Sequence, residues 1–174
     1  DDLGGAENDL AIMYAQWNRL DRAGRWFHEG LETRRRLARE HGGSAGNLRK
    51  FASSLNNYGG FLQNTDRLPD ALPYYEEAGA IQERLVRENP TVALYQDDLA
   101  VTHENIAANM GDSGRRERAI AEYRAALALR ERLAADHPAS LDYQARLARS
   151  HVELALNLVE GREYASAEAE ARAA

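Results

Sequence analysis

Apolar residues recur at intervals of three and four in two stretches of every 48 residues, the spacing that lines one face of an α-helix. In the clearest copy, Thr91 stands where a cap would start a first helix that carries Leu99, Ile106 and Met110 inward. Gly111-Asp112-Ser113-Gly114 then predicts a turn. A second helix is expected from about Arg115 through Ile120, Tyr123, Ala126, Leu127 and Leu133 to the break at Pro138. The preceding copy repeats this with Phe51, Leu55, Tyr58 and Leu62, a turn near Thr65-Asp66, then Leu68, Ala71, Leu72, Tyr75, Ile81 and Leu85 before Pro90. Gly42-Gly43 stands where the later copies use proline, so that junction is broken by backbone freedom instead of a locked ring.

Sliding the chain against itself by 48 positions brings Leu37, Leu85 and Leu133 together without a gap. Ala23, Ala71, Ala119 and Ala167 form one column, and Asp1-Asp2-Leu3 lies over Asp97-Asp98-Leu99. A fixed period of this size marks a solenoid, in which each unit buries its apolar face only against its neighbours. The expected organisation is a single array of helical hairpins with approximate units 1–42, 43–90, 91–138 and 139–174, the first and last incomplete. Both ends fall inside a unit, so the sequence reads as a fragment of a longer polypeptide.

The small and large positions alternate as Ile106-Ala107, Met110, Gly114, Ala119, Tyr123 and Ala126. Equivalents are Leu10-Ala11, Tyr14, Ala23, Phe27 and Gly30; Tyr58-Gly59, Leu62, Ala71, Tyr75 and Ala78; and Leu154-Ala155, Leu158, Ala167 and Ala174. Small residues let two helices approach while an aromatic fills the space between them. This pattern resembles the tetratricopeptide repeat. The resemblance implies an all-α, right-handed superhelical solenoid of antiparallel hairpins that binds proteins or peptides on its concave wall. The family's usual period is about 34 residues. Seven residues make nearly two turns, so lengthening each helix by about seven preserves the phase of its buried face and gives helices roughly 30 Å long. The style of Ala80 to Pro90 is similar to repeats appended to large bacterial regulatory proteins, including serine/threonine kinases, although no kinase motif is present.

By the same resemblance, the first helix of each hairpin lines the groove. That directs attention to Asn8, Asp9, Asn56, Asn57, Gln63, Asn64, Glu104 and Asn105 as partner-binding residues, since side-chain amides can both donate to and accept from an extended peptide backbone. A solvated helix face, or ties between neighbouring units, would use the same residues. Val101 and Ile12 stand where basic or amide groups would complete a clamp for a terminal carboxylate, so no such clamp is expected.

Composition narrows the chemistry. The chain is 44% hydrophobic and 29% charged, with a net charge of −6, which on average repels nucleic acid and anionic membranes. Its basic charge is almost all arginine, with Lys50 alone as lysine. No apolar run approaches the roughly 20 residues needed to span a bilayer, and Asp1 to Gly5 lack the character of a signal peptide. Without cysteine there is no disulfide, thiolate metal site or cysteine nucleophile. His103 and His151 share a column, but equivalent helices lie about 10 Å apart, too far for one metal ion, and Ala107 stands where a zinc-protease motif needs its second histidine. Arg34-Arg35-Arg36 with Arg39 is the most basic stretch, either a docking place for an acidic partner or an exposed face laced by ion pairs with Glu32 and Glu40. Trp17, Trp26 and Phe27 cluster at the first turn as packing or as an anchor. No hydrolase elbow or phosphate loop is present, so neither a catalytic role nor a cofactor is expected. The function expected is a protein-interaction scaffold. The alternatives are an array that stacks head to tail, since a cut array exposes apolar faces, and a regulatory segment of a larger enzyme.

Overall fold

The computed structural model describes residues 3–40, 43–161 and 163–174, with the side chain of Ala165 excepted; the expectations for Asp1, Asp2 and Gly42 lie outside the described residues. Among the described residues eight helices follow one another: α1 (Leu3–Gln16), α2 (Leu20–Glu40), α3 (Ala45–Gln63), α4 (Leu68–Glu88), α5 (Ala93–Asp112), α6 (Arg116–Asp136), α7 (Leu141–Glu160) and α8 (Tyr164–Ala173). The described residues include no strand. The six helices from α2 to α7 have 19 to 21 residues, the length expected from two added turns per helix.

The chain divides into two compact units, residues 1–85 and 86–174. In the first, Ala11, Ala23 and Phe27 close α1 against α2, with Tyr14, Trp26, Tyr58 and Phe61 packed around them. Leu31, Ala38, Phe51, Ala52, Leu55 and Ala78 then join α2, α3 and α4. The second unit is built around Ala107, Ile120, Tyr123, Leu127, Leu154, Leu158 and Ala167.

The alanine column explains how the hairpins close. Ala23, Ala71 and Ala119 have no exposed surface and Ala167 is buried, which leaves no room for a longer side chain. Gly59 shows the same constraint from the opposite helix, because a Cβ there would sit 2.8 Å from the Tyr75 ring. The aromatics Phe27, Tyr75 and Tyr123 are themselves buried, so the alternation of small and large positions is a packing requirement. Leu85 and Leu133 are sealed, while Leu37 is half-buried.

Turns follow the sequence except that Gly111 and Asp112, expected in the turn, still belong to α5, and that one expected cap is not used. Gly114 ends the α5–α6 connection at φ +75°, a conformation in which a Cβ would be strained, and Asp66 takes φ +60° between α3 and α4. Thr91 does not cap α5; Val92 occupies the cap position and no side chain caps the helix. The entry to α5 is held by Gln96, whose Nε2 donates to the Pro90 carbonyl at 2.8 Å. Side-chain caps occur where serine is available, with Ser44 accepting from the Asn47 amide and Ser140 from the Tyr143 amide.

Substituting Ala119 with Leu should lower stability by about 1–3 kcal/mol through overpacking. Urea denaturation of the variant and the parent chain checks this, and an unchanged midpoint would count against close approach at this column.

Candidate interaction site

The second unit contains a polar-walled hollow of about 340 Å³ framed by three helices. Val101, Glu104, Asn105 and Ala108 come from α5, Tyr123 and Arg130 from α6, and Arg146, Arg149 and Glu153 from α7. The helical period puts Val101, Glu104, Asn105 and Ala108 on adjoining positions of one face, opposite the side that buries Ile106 and Met110. Tyr123 comes from the hairpin core and Arg130 lies two turns further along α6.

Arg130 organises the wall. It is only 2% exposed, ion-paired to Asp97 and 3.5 Å from the Glu104 carboxylate through Nε. Asp97 also draws Arg146, at 3.5 Å, and Glu104 accepts a hydrogen bond from Ser150 Oγ at 2.9 Å. A guanidinium so deeply buried is tolerable because two carboxylates share its charge, and these contacts tie α5 to both α6 and α7. Arg146 is held further by Asp142 at 2.8 Å, and this hydrogen bond, with Asp97 adding to it, raises its pKa from the ordinary arginine value. It remains a fixed cation.

The sequence saw part of this. It placed Glu104 and Asn105 in a groove, and the structure brings both to the hollow. Glu104 is already engaged, whereas the half-buried Asn105 amide forms no hydrogen bond with any described residue. In the first unit Asn57 Nδ2 donates to Asn8 Oδ1 at 2.9 Å, so these two predicted residues meet each other across α1 and α3. Gln63 accepts from the Tyr75 hydroxyl at 3.2 Å, which makes it a strut inside the α3–α4 hairpin. Asn64 is exposed and terminates α3, its backbone N–H donating to the Gly60 carbonyl. Asn56 is half-buried, and Asp9 is exposed.

Arg130 itself was missed, although a signal existed. Arg34, Gln82 and Arg130 share a column three residues before Leu37, Leu85 and Leu133, on the same helix face, and all three are buried. Arg34 is therefore unavailable to an acidic partner, and Arg35 is occupied by Glu32 at 2.6 Å and Glu77 at 3.4 Å. The histidines have partners too. His103 Nδ1 lies 2.7 Å from Glu122 and His151 Nδ1 2.7 Å from Glu170, the same clasp made twice between the helices of successive hairpins. Both partners move together in the register, since Leu55 pairs by column with Tyr74 in the copy that has no histidine. Among the described residues no group of three or more acidic or histidine side chains is placed to hold a metal ion, and no helix is long and apolar enough to cross a membrane. Trp17 is well exposed, while Trp26 is half-buried against the first hairpin.

Residues 51–90 match the family model of the tetratricopeptide repeat. The chain carries a tetratricopeptide repeat. The matched residues cover α3 from Phe51 onward and all of α4, the hairpin in which Gly59 meets Tyr75. No curated protein matches the sequence. Among solved structures, BtubC (BKLC) from P. vanneervenii is similar over 97% of this chain at 24% identity and a TM-score of 0.76. The apo form of RapI is similar over 96% of the chain at 12% identity and a TM-score of 0.71. The chain spans 60% and 52% of the lengths of those two structures. These likenesses extend the tetratricopeptide-type helical solenoid fold beyond the matched segment.

Two outcomes are expected from this wall. Replacing Arg130 with Ala should cost about 2–4 kcal/mol, because Asp97 and Glu104 lose their shared cation, and Arg130→Gln should cost less, since Gln82 fills the same column in the second repeat. Urea midpoints of the two variants give the ranking. Burial, reinforced by the nearby Glu153 charge, raises the Tyr123 pKa above its ordinary value of 10.0. The unfolded chain therefore ionises this group first, so Tyr123 withdraws stability as pH rises above about 10. Denaturation at a series of alkaline pH values should show a shallower fall for Tyr123→Phe than for the parent chain.

Proposed function

We propose that the chain is a protein-interaction scaffold, and that an extended segment of its partner lies over Tyr123 between α5 and α7. The observation that carries this reading is the hollow of the second unit, whose walls are fixed by the Arg130 network while Asn105 remains available within it. An amide offers a donor and an acceptor to a peptide backbone, and a wall already locked by ion pairs needs little reorganisation to receive one. Arg149 adds a largely exposed guanidinium with one weak contact, Glu153 at 3.9 Å, which leaves it free to meet an acidic side chain or carbonyl of the partner. Glu104 contributes by holding Ser150 and Arg130 in place. Asn8 and Asn57 would have to give up their mutual hydrogen bond to reach a ligand, so the second unit is the favoured place.

A library of immobilised peptides, probed with the purified chain, should return a shared sequence motif. In fluorescence polarisation with one such peptide, Asn105→Ala and Arg149→Ala should each weaken binding by roughly 3-fold to 30-fold. Arg36→Ala, at an exposed position of α2, should leave it unchanged. Equal affinity in all four proteins would remove the hollow as the binding place.

A further inference from the structure

The first unit has a hollow of its own, and its chemistry differs from that of the one over Tyr123. It measures about 530 Å³ and lies between the C-terminal halves of α2 and α4, over the first turns of α3 and Gly43. Its floor is apolar. Leu48 and Ile81 are half-buried there, and Phe51 belongs to the core shared by α2, α3 and α4. Its rim is cationic, with Arg35 and Arg39 on α2 and Arg84 on α4. Among the described residues that line it, Glu77 alone is acidic.

That carboxylate is already engaged. Arg35 holds Glu77 at 3.4 Å and Glu32 at 2.6 Å, and its guanidinium lies 5.4 Å from the centre of the Phe51 ring, so the cation is fixed over the floor. Arg39, one turn further along α2, is exposed and makes no ion pair with any described residue.

The repeat register shows why a hollow of this kind opens here. Leu48 shares a column with Gln96 and Gln144. In the second unit those amides reach back across their junctions, Gln96 Nε2 donating to the Pro90 carbonyl at 2.8 Å and Gln144 Nε2 to the Ala134 carbonyl at 3.4 Å. Leucine has no donor for that bond, so the junction before α3 lacks this strut. Arg35 falls in the column of Glu83 and Glu131, which reverses the charge beside the floor. Two departures from the repeat thus meet at one place: one makes the floor apolar and the other makes the rim cationic.

This combination selects its cover. The chain carries a net charge of −6, so three guanidiniums around an apolar floor are a local reversal of sign. Apolar surface open to water favours an apolar side chain over it, and carboxylates flanking that side chain would meet the rim in charge-assisted hydrogen bonds. We infer that the hollow docks an acidic peptide segment of a partner, which lays one aliphatic or aromatic side chain over Leu48, Phe51 and Ile81 and sets carboxylates against Arg39 and Arg84. The site shares no residue with the hollow over Tyr123 and does not depend on it.

An immobilised library of nonapeptides tests the inference. Each has Leu, Phe or Ala at its centre, with every combination of Glu and Gln at the two positions on either side. The parent chain should retain peptides with a central Leu or Phe between carboxylates, and release them when the centre is Ala or the flanks are all Gln. In fluorescence polarisation with the best of them, Arg39→Glu and Arg84→Glu should each weaken binding at least about fivefold, and added salt should weaken it further. Leu48→Gln installs the residue of the two later copies and should weaken binding at least about tenfold by closing the floor, with the helix content seen by circular dichroism unchanged. Arg132→Glu, in the column of Arg84 but on α6, and Asn105→Ala should both leave binding as it is, which separates this site from the one over Tyr123. Retention of no peptide, or equal retention of Glu and Gln flanks, would overturn the inference. So would binding that survives both Arg39→Glu and Leu48→Gln. Cosedimentation with phosphatidylglycerol vesicles that is lost in Arg39→Glu would also overturn it, by making the occupant a lipid surface.

Discussion

A helical hairpin can close only as tightly as its smallest residues allow, and this chain is organised around that distance. Ala23, Ala71, Ala119 and Ala167 put a methyl group where the two helices cross, and the buried aromatics Phe27, Tyr75 and Tyr123 fill the wedge that opens beside them. A larger residue at the crossing would push the second helix outward and break contact along both helices, since side chains in a packed interior have little room to rearrange. The added length of the helices makes this stricter, because an angular error at the crossing grows with distance along a rod of about 30 Å.

This explains why the fold was so readily legible. Apolar spacing, the small column and the turn residues all repeat, so errors in any single copy cancel when the copies are aligned. Periodicity gave the helices and their partners, and it placed the turns at Asp66 and Gly114. It was less informative where several devices do the same work. A helix can begin at Val92 without a side-chain cap because the Gln96 amide secures the preceding Pro90 carbonyl, an arrangement with no signature in a capping pattern.

The polar part of the site was harder to read for a different reason. Hydrophobic periodicity treats charged residues as outward-facing, so it offers Arg34 as part of an exposed basic stretch and passes over Arg130, although both are buried. Charge alone could not say which arginine of Arg34-Arg35-Arg36 turns inward. Column position could, because Gln82 is a polar residue where the helix face is otherwise apolar, and its alignment with two arginines marks a shared buried polar slot. The His–Glu clasps were hidden in the same way. The sequence reading weighs the two histidines against each other as one column, whereas each is paired with a glutamate 19 positions further on.

Buried charge in the wall of the hollow is costly to desolvate, and an apolar residue of similar size could close α5 on α6 with no such cost. What the guanidinium adds is direction. A leucine in that slot would pack over a range of helix rotations, whereas Arg130 can pair with Asp97 and Glu104 only when both are presented to it. Because Asp97 also meets Arg146 and Glu104 also meets Ser150, the constraint passes to α7 and fixes the opposite wall of the hollow. Under the proposed function this matters for the spacing between Asn105 and Arg149, because a scaffold that binds through several modest contacts would depend on such spacing more than on the strength of any one of them.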